Sequence, residues 1–90
     1  MKSRTTERFR TALKRLPAPI RHRAGTAYAL FQDDPYHPSL RFKQVHTSRE
    51  IYSVRIGLGY RALGVRTDDE IVWFWIGSHG DYDRLVSELA

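Results

Sequence analysis

The spacing of hydrophobic residues changes near Leu40, and this change most limits what the chain can fold into. Before Leu40, apolar residues recur three or four positions apart, which is helical spacing. After it, β-branched and aromatic residues form short runs typical of strands. The chain has 90 residues, enough for one compact core. The pattern therefore predicts a single α+β domain over residues 1–90, with helices first and a sheet second.

Two helices are predicted before the sheet. The first carries its apolar residues on one face and ends at Pro17, which cannot continue a helix. Pro19 suits the first turn of a second helix, which is broken at Asp33-Asp34-Pro35. Because the connection between the helices is short, we expect them to form an antiparallel hairpin that packs on the sheet.

Four strands and a last helix are predicted in the second half. The strands cover residues 40–45, 51–56, 60–65 and 71–76. Turn residues at 57–59 and 67–70 make neighbouring strands antiparallel, which gives a meander. Ser78 and Asp81 fit a capping box and predict a short C-terminal helix. The predicted fold is therefore an N-terminal helix hairpin on a four-stranded antiparallel meander sheet, closed by a short C-terminal helix.

The charge and the absence of cysteine narrow the function classes. Fifteen Lys and Arg against ten Asp and Glu give a net charge of +5, which suits nucleic acid or an acidic protein as partner. The lack of cysteine excludes disulfides, thiolate metal sites and cysteine nucleophiles. His22, His37 and His46 lack metal-ligand spacing, so no metal or cofactor is expected. No apolar run is long enough for a bilayer, which predicts a cytoplasmic protein without a membrane partner.

The turn at 57–59 brings two arginines together. If Ile56 faces Tyr60, Arg55 lies directly opposite Arg61 and both side chains point to the same face of the sheet. Such a like-charge pair is unfavourable unless an anion lies against it, and a phosphate is the natural candidate. The alternatives are that both arginines pair with carboxylates, or that a bulge offsets them. The sequence thus indicates an anion-binding position at this hairpin.

Extending the register adds further residues to the surface that carries Arg55 and Arg61, called here the basic face. Arg41 and Lys43 fall on it from the preceding strand, whereas the alternate positions face the helices. Trp73 and Trp75 share it by parity, and aromatic rings beside arginines suit stacked RNA bases. For both tryptophans, ordinary packing is the favoured interpretation.

His79 and Tyr82 lie three residues apart at the start of the last helix, so they are expected on one side of it, near the sheet edge. An imidazole at a helix N-terminus tends to be neutral and able to accept a proton, while a phenol supplies a hydroxyl. Together they could provide the acid and base for phosphodiester cleavage. The alternatives are a helix-start role for His79 and a core-anchor role for Tyr82.

Several segments in this order resemble one known family. They are the loop Asp34-Pro35-Tyr36-His37-Pro38-Ser39-Leu40, then residues 52–57, 60–61 and 73–79. Over roughly residues 7–88 the chain resembles the RelE/ParE toxin superfamily of type II toxin–antitoxin systems. The resemblance implies a concave sheet backed by a helix hairpin. It also implies, as in RelE-like members, a ribosome-dependent messenger RNA endonuclease that blocks translation and is silenced by a cognate antitoxin.

The resemblance also implies roles for individual residues. Arg55 and Arg61 look like the sheet arginines that hold the scissile phosphate. Tyr82 resembles a terminal tyrosine that stacks on the RNA or activates it near the 2′-hydroxyl, and His79 would act as base or acid. Lys43 would serve in proton or phosphate work. The residues expected to contact RNA are Arg41, Lys43, Arg55, Arg61 and Trp75. The expected partners are the antitoxin, the ribosome and messenger RNA.

One departure from the family concerns the sheet edge. Members usually begin with a β-strand, but only residues 1–4 precede the first predicted helix. We therefore expect that strand to be stunted or missing, which would leave an edge where an antitoxin segment could pair.

Two other functions fit the same fold. One is a ParE-like role, in which the chain inhibits DNA gyrase and cleaves no bond; such chains generally lack a full set of two arginines, histidine and tyrosine. The other is a degenerate toxin that only binds its antitoxin. The sequence favours the nuclease because it can assemble the full set.

Overall fold

The computed structural model describes residues 1–46 and 48–89, and its elements belong to the predicted α+β class. In order, they are β1 (Lys2–Thr5), α1 (Glu7–Lys14), α2 (Ala18–Asp33), a 3₁₀ turn (Pro38–Leu40), β2 (Lys43–His46), β3 (Ile51–Ile56), β4 (Tyr60–Thr67), β5 (Glu70–Ser78) and α3 (His79–Leu89). None of the helices in these described ranges is both long and apolar enough to cross a membrane.

The sheet has five strands and is mixed, so the prediction of a four-stranded antiparallel sheet is wrong. The strand order is β1-β5-β4-β3-β2. Strands β2 to β5 form the expected antiparallel meander, but β1 pairs in parallel with β5, placing Lys2 opposite Glu70 and Thr5 opposite Trp73. The segment before the first helix is therefore a paired strand. The strand is short, with four residues, but it is not missing; it covers the edge of β5 and is itself the outer strand on that side.

Side-chain caps and a proline mark the starts of the helices. The Thr6 hydroxyl accepts a hydrogen bond from the Phe9 N–H at 3.0 Å and caps α1. Pro19 lies in the first turn of α2. The Ser78 hydroxyl accepts from the Asp81 N–H at 3.2 Å, which gives α3 the cap expected from the sequence. These short-range bonds fix where α1 and α3 begin, whereas α2 begins without a side-chain cap.

The layout of the first two helices differs from the prediction. Both lie on the same face of the sheet, but α1 packs on β5 and α2 packs on β3, and each contacts the sheet more than it contacts the other. An apolar cavity of about 350 Å³ remains between them. They are thus a spread pair rather than a tight hairpin, because the apolar side chains of the sheet lie beneath both.

The two faces of the sheet carry two cores. The larger lies under α1 and α2, where the Phe31 ring meets the Phe42 and Trp73 rings edge-on, with centroids 5.1 and 5.3 Å apart. The smaller lies under α3, where Tyr82 packs against Ile51 and the fully buried Leu63. Consequently α3 covers part of the same face that was predicted to be basic.

A β-bulge at Phe74 of β5 separates the two tryptophans. Between Leu63 and Gly64 the pairing with β5 slips, so Trp75 lies opposite Leu63 while Trp73 lies opposite Gly64. Trp73 is consequently buried in the larger core, where its indole N–H donates to the Ser3 hydroxyl at 2.9 Å. The placement of Trp73 on the basic face is therefore wrong, since this residue packs under α1 and α2 and not under the last helix.

A substitution at Gly64 tests how tightly Trp73 and Ile71 pack against β4. A Cβ added there would lie 2.8 Å from both Ile71 Cγ1 and Trp73 Cε3, two buried side chains that cannot easily move. We expect Gly64→Ala to lower the free energy of unfolding by about 1–3 kcal/mol through overpacking. Gly25→Ala is the control, because Gly25 lies in α2 with nothing within 4 Å of its Cβ position. It should raise stability by about 0.5–1 kcal/mol. Urea denaturation followed by circular dichroism measures both; equal effects would contradict the packing described.

Candidate functional site

The Arg55–Arg61 pair lies where the sequence placed it. In the β3–β4 ladder Arg55 is directly opposite Arg61, and Ile56 is opposite Tyr60. The turn between them begins at Gly57, whose φ of 61° lies in the left-handed region that favours glycine. Both arginine side chains therefore leave the sheet on the face that α3 partly covers.

Neither arginine is neutralised by a carboxylate within the described residues. Instead they donate to nearby carbonyls: Arg55 Nε to Gly57 O at 3.0 Å, and Arg61 Nη1 to Tyr60 O at 3.2 Å. Burial, and next the positive charge of Arg55, lower the pKa of the Arg61 guanidinium from its ordinary value. An anion bound here would offset the repulsion between the two arginines, because it would pair with charge that no carboxylate neutralises in the described residues.

Arg41 and Lys43 add positive charge to the basic face. The 3₁₀ turn ends at Arg41, which has a φ of 47°, a left-handed conformation that costs a non-glycine residue about 1–2 kcal/mol. The charge of Arg41 also helps to lower the pKa of Arg61, so it acts on the same site. Lys43 lies opposite Ser53, two residues along β3 from Arg55, and its side chain is exposed.

His79 forms a pair that the sequence analysis missed. It is the first residue of α3, and its Nδ1 lies 3.0 Å from Asp83 Oδ2, one helical turn later. The carboxylate accepts the Nδ1–H, which leaves Nε2 as the nitrogen available to another molecule. The i,i+4 spacing of His79 and Asp83 was a signal that could have revealed this contact from the sequence.

Tyr82 is buried between His79 and Arg61. Its hydroxyl donates to the Ser53 hydroxyl at 3.3 Å inside the protein, and the side chain is 7% exposed. Its ring centroid lies 5.9 Å from Arg61 Cζ and 6.0 Å from the His79 ring. The hydroxyl thus anchors α3 to the sheet, which matches the alternative interpretation for this residue, while the ring supports two members of the predicted site.

Trp75 remains on the basic face after the register shift. A Cβ at Gly77 would lie 2.7 Å from Trp75 Cζ2, so the indole covers the backbone of Gly77. Gly77 is the β5 residue paired with Arg61. The half-buried indole therefore gives Arg61 an aromatic neighbouring surface on which a base could stack.

The site as a whole brings most of the predicted residues together. Arg41, Lys43, Arg55, Arg61, Trp75, His79 and Tyr82 share one face of the sheet or its margin. Trp73 lies on the opposite face of the sheet. Asp83, which the sequence did not indicate, belongs to the site through its contact with His79. Unpaired cations can bind a phosphodiester, and an imidazole held by a carboxylate can move a proton.

A family model matches most of the chain. It describes a ParE-like toxin domain and matches residues 18–84. That range includes the hairpin arginines, His79 and Asp83. No curated protein matches the sequence.

Several solved structures share the fold. The toxin–antitoxin complex RelB-RelE from Methanococcus jannaschii superposes with a TM-score of 0.71 at 22% identity, covering 90% of this chain and 96% of the matched chain. YafQ from E. coli strain BL21(DE3) gives 0.68 at 12% identity over 90% and 96%. The YoeB/ParE toxin from Agrobacterium tumefaciens gives 0.68 at 13% identity over 88% and 99%. At these identities the likeness is one of fold.

The hydrogen bond between Tyr82 and Ser53 can be measured by a double-mutant cycle. Tyr82→Phe leaves the Ser53 hydroxyl buried without its partner, and Ser53→Ala does the same to the phenol. We expect each change to cost about 1–3 kcal/mol of unfolding free energy. The double variant should cost clearly less than their sum. Urea denaturation of the four proteins gives the values; strict additivity would mean that the phenol is not held inside the protein.

Proposed function

Because this chain belongs to the RelE/ParE superfamily of toxins from toxin–antitoxin systems, we propose that it is a ribosome-dependent endoribonuclease that cleaves messenger RNA and so blocks translation. One observation carries the proposal: two directly opposed arginines without carboxylate partners in the described chain lie beside a histidine–aspartate pair. Phosphodiester cleavage needs this combination, since charge develops on phosphate oxygens while a proton is transferred.

In the proposed reaction, Arg55 and Arg61 bind the scissile phosphate and stabilise the charge that develops on it. His79 Nε2 removes the proton from the adjacent 2′-hydroxyl, and Asp83 holds the ring for this step. The 2′-oxygen then attacks phosphorus and the 5′-oxygen departs, leaving a 2′,3′-cyclic phosphate. Lys43 supplies the proton that the departing oxygen takes up.

Two aromatic residues and Arg41 support this chemistry. Because the Tyr82 hydroxyl is engaged inside the protein, we give Tyr82 a positioning role, in which its ring holds Arg61 and His79 in place. Trp75 offers its indole to a base of the bound RNA. Arg41 contacts the RNA backbone and adds to the attraction for phosphate.

The basic face is also the surface that we propose binds the partners of this chain. An antitoxin binds the RelE of the M. jannaschii complex, and we propose that a cognate antitoxin covers the basic face of this chain. Acidic side chains on that antitoxin would pair with the arginines that otherwise hold RNA. The ribosome would present messenger RNA to this face. The proposed partners are therefore the antitoxin, the ribosome and messenger RNA.

The substitution Arg61→Ala tests whether this chain cleaves messenger RNA by the proposed mechanism. We expect it to abolish growth arrest on induction and to lower the cleavage rate by about 100-fold or more, because the developing charge loses its main contact. Arg61→Lys should keep only part of the activity, since an ammonium lacks the planar fork. The control is Arg8→Ala, an exposed arginine on α1. Messenger 5′ ends are mapped in a translation extract with and without ribosomes. Unchanged cleavage by Arg61→Ala would refute the mechanism.

Gyrase inhibition is the second candidate function. It is favoured by the ParE-like description of the matching family model and by the internal position of the Tyr82 hydroxyl. In that case purified toxin would reduce supercoiling by gyrase and produce DNA breaks, while messenger RNA stayed intact. Running the gyrase assay beside the cleavage assay, on the same preparations, separates the two functions.

Asp83 gives a finer test of the proposed proton transfer. We expect Asp83→Asn to lower kcat about tenfold, with KM little changed, because Asp83 orients the ring and does not touch the RNA; His79→Ala should lose about 100-fold or more. Nitrogen-15 NMR of the histidine ring should show Nδ1 protonated in the parent and a mixture of tautomers in the variant. A variant with parental kcat would remove Asp83 from the mechanism.

A further inference from the structure

A second arginine pair lies at the edge of the sheet, and it shares Arg55 with the pair at the proposed catalytic site. A groove runs between α2 and the β3–β4 hairpin, and both Arg23 of α2 and Arg55 of β3 line it. The other residues lining the groove are Thr26, Ala27, Leu30, Ser39, Leu40, Gly57 and Leu58. No acidic residue is among them.

The groove exists because β2 is short. It pairs with β3 only over residues 51–53, and beyond this point the 3₁₀ turn Pro38–Leu40 contacts β3 instead. Arg55 lies past the end of that pairing, so its side chain is at the sheet margin. By its register Arg55 belongs to the basic face, and by its position it also lines the groove. It therefore connects the two surfaces.

Arg23 and Arg55 meet at Gly57. A Cβ on Gly57 would lie 3.0 Å from Arg23 Nη1 and 3.1 Å from Arg23 Cδ, so the arginine side chain packs on the glycine. On the same residue, the Gly57 carbonyl accepts the Nε–H of Arg55. This bond leaves the two terminal nitrogens of Arg55 available. Within the described residues Arg23 forms no ion pair, and it is exposed.

We infer that Arg23 and Arg55 form a second phosphate-binding site, which holds an RNA backbone phosphate next to the one at the catalytic site. The inference rests on the proposed function for its ligand. Two guanidinium groups that both contact Gly57 and line one groove can offer several N–H donors to the oxygens of a single phosphate. Leu58, 78% exposed at the hairpin tip, supplies apolar surface for the adjoining sugar or base.

The groove adjoins the basic face at Arg55, and this favours RNA over an acidic peptide as the ligand. Because Arg55 pairs with Arg61 in the ladder and also lines the groove, a strand bound over Arg61 reaches the groove past Arg55. The scissile phosphate would then lie between Arg61 and Arg55, and the next phosphate of the strand between Arg55 and Arg23. Arg23 would bind and orient the strand without touching the reacting atoms.

Binding of an uncleavable RNA tests the site. The probe is a short, fluorescently labelled, single-stranded RNA with 2′-O-methyl ribose, which has no free 2′-hydroxyl and so separates binding from cleavage. We expect Arg23→Ala to weaken binding of the full chain about five- to tenfold at low salt and to reduce the slope of log K against log salt by about 0.7. Arg23→Lys should restore part of the affinity. Fluorescence anisotropy over a salt series gives both quantities.

Arg8→Ala is the matched control, because it removes the same charge from an exposed helix position that is not in the groove. It should leave affinity within about twofold of the parent. Thermal unfolding of each variant confirms that it is folded. If Arg8→Ala and Arg23→Ala weaken binding equally, net charge alone acts and the second site is refuted.

The outcomes keep this inference separate from the nuclease proposal. Should the parent fail to cleave messenger RNA while Arg23→Ala still weakens RNA binding, the nuclease proposal fails and the site stands. Should the parent cleave while Arg23→Ala binds RNA normally, the site is refuted and the nuclease stands. Arg23-dependent binding of an acidic glutamate peptide, without any effect on RNA, would make the groove a protein-docking surface and would also overturn the inference.

Discussion

The antiparallel register of the β3–β4 hairpin is the constraint on which the rest of the structure depends. It sets Val54 against Ala62 on the face under the helices and Arg55 against Arg61 on the other. The like-charge pair costs a few tenths of a kcal/mol or more. Full burial of a valine or isoleucine side chain contributes about 1.5–3 kcal/mol. Burial therefore decides the register, and the opposed arginines persist as its consequence.

How much of this could be predicted depends on the range of the interaction. Thr6, Ser78 and Gly57 act through contacts a few residues away, so the sequence indicates the caps and the turn directly. Strand β1 draws its hydrogen bonds from β5, nearly seventy residues along the chain, and no local pattern reveals such pairing. The register shift opposite Gly64 likewise depends on Ile71 and Trp73 of the neighbouring strand. Strict alternation along β5 therefore placed Trp73 on the wrong face.

The same distinction applies to the site. The arginines, His79 and Tyr82 were found because strand parity and helical spacing place side chains on faces. Neither rule says where a hydroxyl points, and the phenol of Tyr82 turned inward because Ser53 lies beneath it in the smaller core. One residue thus anchors α3 and holds Arg61 and His79. In the proposed mechanism, stability and activity are therefore coupled at Tyr82, since a change that loosens α3 would also displace the guanidinium and the imidazole.

The edges and faces of the sheet suggest where a partner can act. Strand β1 covers the edge that was expected to be open, and its Lys2 and Arg4 are charges of the kind that discourage further strand addition. An antitoxin on the basic face, by contrast, would meet arginines whose repulsion any anion relieves. The phosphates of messenger RNA would be attracted to the same arginines for the same reason. In the proposed function the two ligands therefore compete for one electrostatic feature, and inhibition needs no change of fold.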